Sequence, residues 1–176
     1  MGNCICYEDV NNRQEEDVKR QDAVIPNITK KMSNHYTIHY PLHDKRKETA
    51  LYRRTRKELI YNKKLTCFIC NKKNGDGESL ETHHFYCEKY AKTMIDWQKF
   101  GEFAKNCHNI QTGENIGANF NWDEVSNNPD IFVDSPQNMV VLCKQHHTSG
   151  NKGLHHVPFP DWILQKYPKN NFEFLT

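Results

Sequence analysis

Two pairs of metal-binding residues constrain the fold of this chain more than any other sequence feature. A C-x-x-C pair and a C-x-x-H pair are separated by the 72 residues from 71 to 142, and their members are Cys67, Cys70, Cys143 and His146. Each pair places two ligands on one tight turn, and four thiolate or imidazole donors without a carboxylate are typical of a closed structural zinc site. The sequence therefore predicts that both pairs meet at one zinc ion. The alternative is that buried cysteines happen to lie two residues apart.

Cysteine usage bears on the compartment. The chain has seven cysteines, an odd number, and its start MGNCICYEDV lacks the apolar core of a secretory signal. Metal-bound thiolates in a reducing, intracellular compartment therefore explain the cysteines better than a disulfide framework does.

Two further features concern membranes. Gly2, Cys4 and Cys6 resemble the start of dually acylated proteins, although the usual myristoylation pattern has Ser or Thr where this chain has Cys6. Lipid anchoring at these residues and an unmodified terminus are both open. The mean hydropathy is −0.90, and no run approaches the roughly 18 apolar residues of a membrane span. No transmembrane segment is expected.

Composition divides the chain into a flexible N-terminal arm over residues 1–44 and one folded domain over 45–176. Residues 45–64 hold nine Lys or Arg against two Glu, with Leu51 and Leu59 on one helical face. This pattern predicts a basic amphipathic helix, which either contacts phosphates or only forms a solvated face. The candidates for phosphate contacts are Arg53, Arg54, Arg56 and Lys57.

The remaining segments predict an α+β domain. Residues 65–87 favour two short strands around a turn rich in Gly, Asn and Asp. Residues 91–110 carry large apolar residues at helical intervals, and residues 111–135 predict a long surface loop anchored by Trp122 and Phe132. An apolar strand then precedes a helix from about Lys144, and the tail over 153–176 is expected to wrap over the core.

A second group of residues shares no member with the four zinc candidates. Its members lie in LETHHFY, SPQNMVVLC and CKQHHTSGN, and they are His83, His84, Asn138, His147 and Asn151. The order of a C-x-x-C pair, a histidine doublet, an Asn before an apolar strand and a C-x-x-H-H stretch resembles the HNH, or ββα-metal, endonuclease family. The resemblance covers about residues 65–152. It implies a ββα-metal core with a structural zinc site, here with a basic N-terminal helix and a helical insertion.

The resemblance also implies an activity, which is metal-dependent hydrolysis of phosphodiester bonds in DNA, expected to be double-stranded. In this family pattern, His84 is the general base that takes a proton from water, and Asn138 orients it. His83 and His147 are ligands of the catalytic cation, and Asn151, four positions after His147 on the expected helix, completes the coordination. Adjacent strand residues point to opposite faces, so the doublet can act together only where the strand ends, bulges or twists.

Two departures from the family pattern matter. His83 stands where Asp is frequent, and imidazole suits zinc, nickel or manganese better than magnesium, so all four cations are candidates. The 53 residues between His84 and Asn138 form an insertion longer than in minimal members, which is a candidate for substrate selection or assembly contacts. His155 and His156 could reach the cation or a phosphate if the helix ends near Gly153, but the sequence favours the alternative, in which they are partly buried residues that lead into the proline-rich tail.

The alternative function is a non-catalytic protein on the same scaffold, stabilised by zinc, that binds nucleic acid or serves assembly. Such a module needs the four zinc ligands but has no need for His83, His84, Asn138 and His147 as well. Because both sets are present, the sequence favours the endonuclease.

Overall fold

The structure, a computed structural model, describes residues 47–167. The predicted arm over 1–44, with Gly2, Cys4 and Cys6, lies outside these residues, as does the end of the predicted C-terminal wrap. The elements, in chain order, are α1 (Ala50–Lys57), a π-helical turn (Glu58–Asn62), β1 (Leu80–His84), a 3₁₀ turn (Lys89–Ala91), α2 (Trp97–Ala104), α3 (Trp122–Asn127), α4 (Asp130–Val133), a 3₁₀ turn (Pro136–Asn138), β2 (Met139–Cys143), α5 (Lys144–Thr148) and α6 (Phe159–Leu164). The fold is mixed α+β, as predicted. None of the helices in this part of the chain is long and apolar enough to cross a membrane.

The basic helix predicted over 45–64 is present from Ala50 onward as α1. Thr49 begins it, because the Thr49 hydroxyl oxygen accepts a hydrogen bond from the Tyr52 N–H at 2.9 Å. This bond satisfies one of the amides left free at a helix start. Basic side chains lie in the last turn, where they face the negative end of the helix dipole.

The two strands pair in an antiparallel manner, with Leu80 opposite Cys143 and His84 opposite Met139. All five residues of β2 are buried. The helix α5 follows β2 without an intervening loop. The order is therefore strand, insertion, strand, helix, and the ladder brings the two ends of the insertion together.

The prediction of two strands within residues 65–87 is wrong, because only β1 forms there and its partner is β2. The segment around Cys67 forms a turn, in which Asn71 adopts a left-handed conformation with φ +57°. This turn lies beside β2, since the Phe68 N–H donates to the Val141 carbonyl at 2.9 Å. The apolar residues of β2 offer β1 a buried partner, which the polar residues before β1 do not.

Side chains alternate between the two faces of β1. Thr82 and His84 face α1, where the Thr82 hydroxyl donates to the Tyr52 hydroxyl at 3.1 Å and the rings of His84 and Tyr52 stack with centroids 5.8 Å apart. Glu81 and His83 take the other face, toward α5, where both contact His147. The histidine doublet is therefore split between the two faces.

The insertion between β1 and β2 contains α2, α3 and α4. The prediction of a long surface loop over 111–135 is wrong, because α3 and α4 lie there. Asn121 begins α3, since its side-chain oxygen accepts from the Asp123 N–H at 3.1 Å. Trp122 and Phe132 pack in the apolar cluster of the insertion, as predicted, and Phe132 is fully buried. Asn121 thus acts as a helix cap rather than as a loop residue.

The helix predicted within 91–110 forms as α2. Trp97 and Phe100 pack in the cluster of the insertion, whereas Met94 and Phe103 are 53% and 54% exposed. Only half of the four large residues at helical spacing therefore face the core.

Asn138 joins the two ends of the insertion. Its side-chain nitrogen donates to the carbonyls of Cys87 and Val133 at 2.9 and 2.8 Å. Its side-chain oxygen accepts from the N–H groups of Tyr86 and Cys87 at 2.9 and 3.0 Å. Two donors and two acceptor positions are thus all used, which is the full capacity of an asparagine side chain.

We expect Asn138→Asp to destabilise the domain, because a carboxylate oxygen would then face two carbonyl oxygens in the interior. The loss should be about 2 to 4 kcal/mol, since two buried acceptors lose their donors. Thermal unfolding followed by circular dichroism measures it. The same change at the exposed Asn106 is the matched control and should leave the melting temperature within a degree or two, which is roughly the effect of a neutral surface substitution. Equal melting temperatures for the two variants would contradict this role of Asn138.

Candidate metal centres

The first candidate centre contains the four residues of the two sequence pairs, Cys67, Cys70, Cys143 and His146. Their ligand atoms all lie within 4.8 Å of one another. The His146 Nδ1 atom is 3.2 Å from the Cys143 Sγ and 3.6 Å from the Cys67 Sγ. The Sγ atoms of Cys70 and Cys143 are 3.9 Å apart. A tetrahedral zinc ion with its usual bond lengths holds sulfur and nitrogen ligands about 3.3 to 3.8 Å apart, so the group can hold a metal ion such as zinc.

Local structure explains why these four residues meet. Cys143 ends β2 and begins α5, so it stands one helical turn from His146. Cys67 and Cys70 lie on the turn beside β2, closed by a hydrogen bond from the Asn71 N–H to the Cys67 carbonyl at 2.9 Å. From α6, the fully buried Trp162 donates its indole N–H to the His146 carbonyl at 3.0 Å. The centre thus lies at the edge of the apolar core, with Cys67, Cys143 and His146 buried and Cys70 exposed.

The thiols of this centre differ in acidity. Burial raises the pKa of Cys143 to about 12. Burial acts on Cys67 too, but hydrogen bonds from His146 and from backbone amides outweigh it and lower the Cys67 pKa to about 6. A zinc ion binds thiolates, so it must displace the Cys143 proton, and its affinity falls as the pH falls.

The second candidate centre contains three histidines, His83, His147 and His155, whose ligand atoms also lie within 4.8 Å of one another. The His147 Nε2 atom is 3.3 Å from the His83 Nδ1 and 3.1 Å from the His155 Nε2. His83 comes from β1, His147 from α5 and His155 from the segment that leads to α6. His83 is buried and His155 is exposed, so the group lies at the protein surface.

Two carboxylates contact the outer nitrogens of these rings. The Glu81 carboxylate is 2.6 Å from the His147 Nδ1, and the Glu88 carboxylate is 3.8 Å from the His83 Nε2. A carboxylate on the outer nitrogen of a histidine fixes the ring orientation and raises the basicity of the nitrogen that binds the metal. The three histidines could therefore hold a metal ion, with the His147 ring fixed by Glu81.

The structure does not place Asn151 on the helix that was expected to carry it. The helix α5 ends at Thr148, and Ser149 after it is extended. The spacing of four residues on one helix face therefore does not bring Asn151 beside His147. The third residue of the group is instead His155, whose N–H donates to the His147 carbonyl at 3.3 Å.

His84 lies on the opposite face of β1 from the three histidines. Its ring is 3% exposed, and its Nε2 is 3.0 Å from an Asp134 carboxylate oxygen. Asp134 also accepts hydrogen bonds from Lys89 at 2.8 Å and from Thr49 at 2.6 Å. Burial tends to raise the pKa of Asp134, but the hydrogen bonds from His84, Lys89 and Thr49 hold it far below its usual range. The His84 ring thus faces an ionised carboxylate in the interior.

Asn138 was expected to orient His84 by a side-chain hydrogen bond. Its side chain has no bonding capacity left for that ring, because the bonds to Tyr86, Cys87 and Val133 use all of it. The Asn138 carbonyl does accept from the Phe85 N–H at 2.7 Å. Asn138 therefore holds the backbone just after His84, at residues 85–87, and does not bind the His84 ring.

The basic residues of α1 are not part of the three-histidine group. Arg53, Arg54 and Lys57 are exposed, and Arg56 is partly buried. The helix packs on the face of β1 that carries His84, whereas His83 takes the other face. Any contact these side chains make with a nucleic acid is thus separate from the cation site.

Three acidic residues near these centres were not predicted from the sequence: Glu81, Glu88 and Asp134. Glu81 lies two residues before His83, which places both on one strand face, so strand alternation offered a signal for it. Asp134 and Glu88 carry no such local signal, because their partners are distant in sequence or across a turn.

Comparisons with known proteins find no matching family model, no similar curated protein and no similar solved structure. The function is therefore argued from the residues and their geometry.

We expect the purified protein to contain one tightly bound zinc ion in the cysteine centre, and Cys143→Ser to lose both this ion and the fold. Structural zinc contributes folding free energy directly, so its loss unfolds small domains. Native mass spectrometry and circular dichroism measure the two effects. Cys107→Ser, at a partly buried cysteine of the insertion, is the matched control and should keep the zinc. A zinc-free wild-type protein that is nevertheless folded would refute the assignment.

We expect His155→Ala to remove a second, weaker divalent site while the zinc in the cysteine centre stays bound. His156→Ala and Asn151→Ala are the controls and should retain it, since neither residue belongs to the three-histidine group. Isothermal titration with Ni²⁺ or Zn²⁺ on protein already loaded at the cysteine centre counts the sites. If Asn151→Ala loses the site and His155→Ala keeps it, Asn151 is the third ligand and His155 is not.

Proposed function

We propose that this chain is a metal-dependent endonuclease that hydrolyses phosphodiester bonds in DNA, with its reaction centre at His83, His147 and His155. The observation that carries this proposal is the convergence of three neutral ligands from β1, α5 and the segment before α6. The order strand, strand, helix beside a cysteine-rich centre supports a ββα-metal core. The resemblance of the sequence to HNH endonucleases points to the same reaction.

A divalent cation at this site would lower the pKa of a water molecule and neutralise charge on the scissile phosphate and the leaving oxygen. Three histidine ligands carry no negative charge, so the full charge of the ion remains available to polarise the water molecule and the phosphate. They favour zinc, nickel or manganese over magnesium. Glu81 orients the His147 ring.

His84 has two possible roles. As a general base, His84 must accept a proton from water. Because its Nε2 faces Asp134, only its Nδ1 could accept that proton. As a positioning residue it anchors the end of β1 through the Asp134 hydrogen bond and so holds its neighbour His83 in place. The described conformation favours the positioning role, because the ring is 3% exposed and faces away from the three histidines.

The exposed basic residues of α1 are proposed to contact the phosphate backbone beyond the cleavage site. Such contacts carry no sequence information, and they weaken steeply with salt. The non-catalytic alternative keeps this binding and the cysteine centre but needs no cation at the three histidines. An activity assay therefore separates the two functions.

We expect the protein to nick plasmid DNA, and to hydrolyse bis(p-nitrophenyl) phosphate, when Mn²⁺, Ni²⁺ or Zn²⁺ is added. His147→Ala should lower both rates roughly 100-fold or more, because even the outer partners of metal ligands contribute 10- to 100-fold. His156→Ala, in the same exposed segment, is the control and should retain activity. A wild type that is inert with these cations and with Mg²⁺ would overturn the proposal and leave the binding module.

Two substitutions at His84 separate its roles within the same assay. His84→Ala removes both functions of the ring. His84→Gln keeps a side-chain nitrogen that can donate to Asp134 but cannot accept a proton from water. If His84→Gln is active while His84→Ala is not, His84 is a positioning residue. If His84→Gln loses all activity but keeps the wild-type melting temperature, His84 is the general base.

A further inference from the structure

We infer that Phe85 and Phe159 form a stacking surface for an unpaired nucleobase next to the scissile phosphate, so that the preferred substrate is single-stranded DNA. This inference rests on the proposed function, since it takes the three histidines as the reaction centre. It replaces the expectation of a double-stranded substrate.

Two ring pairs lie side by side between the end of β1 and the segment before α6. In the first pair, His83 contacts His155 with ring centroids 4.8 Å apart and planes at 81°. In the second, Phe85 contacts Phe159 with centroids 5.7 Å apart and planes at 67°. The first pair joins β1 to the segment before α6, and the second joins the residue after β1 to the first residue of α6. His83 and Phe85 are two residues apart.

Strand geometry sets the distance between the pairs. The Phe85 N–H donates to the Asn138 carbonyl at 2.7 Å, so the extended pairing continues one residue beyond β1. Residues two apart on an extended strand share a face and lie about 7 Å from each other. The phenylalanine pair is therefore one side chain away from the three histidines, a separation that matches a phosphate and the base of a neighbouring nucleotide.

Packing alone does not account for Phe159. It is the first residue of α6 and is 46% exposed, whereas Trp162 from the same helix is fully buried. Trp162 already supplies the contact of α6 with the core, and the Phe159 ring lies outside it, with ring centroids 6.1 Å apart and planes at 31°. Phe103 on α2 is equally exposed at 54%, but it lies in the insertion against Phe100. Position beside the histidines therefore distinguishes Phe159.

The stacking surface selects an unpaired base because base faces inside a duplex are covered by their neighbours. Aromatic side chains that bind single strands stack on bases without reading their identity. The inferred preference is thus for strand state and not for sequence. The base would lie on the exposed ring while the phosphate lies at the histidine group.

The test compares Phe159→Ala with Phe103→Ala, Phe159→Tyr and the wild type. With a single-stranded oligodeoxynucleotide, Phe159→Ala should raise KM about 5- to 150-fold, which corresponds to the usual contribution of one stacked base. Its kcat/KM for an abasic oligodeoxynucleotide of the same length, which has no aromatic base to stack, should match that of the wild type. Phe159→Tyr keeps a ring and should restore the wild-type KM, and Phe103→Ala should match the wild type.

Three results would overturn the inference. They are an equal loss of activity of Phe159→Ala on both substrates, a wild-type kcat/KM for a duplex oligodeoxynucleotide equal to that for the single strand, and an equal effect of Phe103→Ala. Fluorescence anisotropy with a labelled oligothymidylate measures binding without cleavage. If hydrolysis fails altogether but this binding depends on Phe159, the stacking surface stands and the proposed function fails. If the wild type hydrolyses DNA but Phe159→Ala binds the oligothymidylate as tightly as the wild type does, the proposed function stands and the stacking surface is refuted.

Discussion

The antiparallel pairing of β1 with β2 is the constraint on which both candidate metal centres depend. Its register puts Leu80 opposite Cys143 and His83 opposite Val140, so one end of the ladder adjoins the cysteine centre and the other adjoins the three histidines. Closing a ladder over a 53-residue insertion has an entropic cost. Buried side-chain hydrogen bonds offset it where the insertion leaves and rejoins the sheet, through Asn138 and through Asn109, whose nitrogen donates to the Met139 carbonyl at 2.8 Å.

The short helix α5 links the two centres physically. His146 and His147 are consecutive, and successive helical residues point about 100° apart, so the first turns toward the cysteines and the second toward β1. The cysteine group, of which only Cys70 is exposed, thereby helps to position His147 of the three-histidine group. A zinc ion in the cysteine group would contribute folding free energy directly, and through α5 it would also hold His147 in place. Trp162, bonded to the His146 carbonyl, attaches α6 to the same helix.

Strand alternation divides the histidine doublet in a way that bears on mechanism. His83 belongs to the exposed centre, and His84 belongs to an interior network with Asp134, Lys89 and Thr49. An ionised buried carboxylate is tolerated only when donors surround it, and His84 is one of the three that do so. The end of β1 is thus held from one side while its other side carries a metal ligand and, two residues on, Phe85.

Local patterns in the sequence determined the α+β class, the basic helix α1, the four members of the cysteine centre and two members of the histidine centre. These features depend on ligand spacing and on periodicity over a few residues, which the sequence states directly. Only the tertiary structure decided that β1 pairs with β2, that His155 rather than Asn151 joins His83 and His147, and that His84 faces Asp134. The physical reason is that strand partners and hydrogen-bond partners separated by 50 residues or more are chosen by burial and by competition among all available groups, and no local spacing records the outcome of that competition.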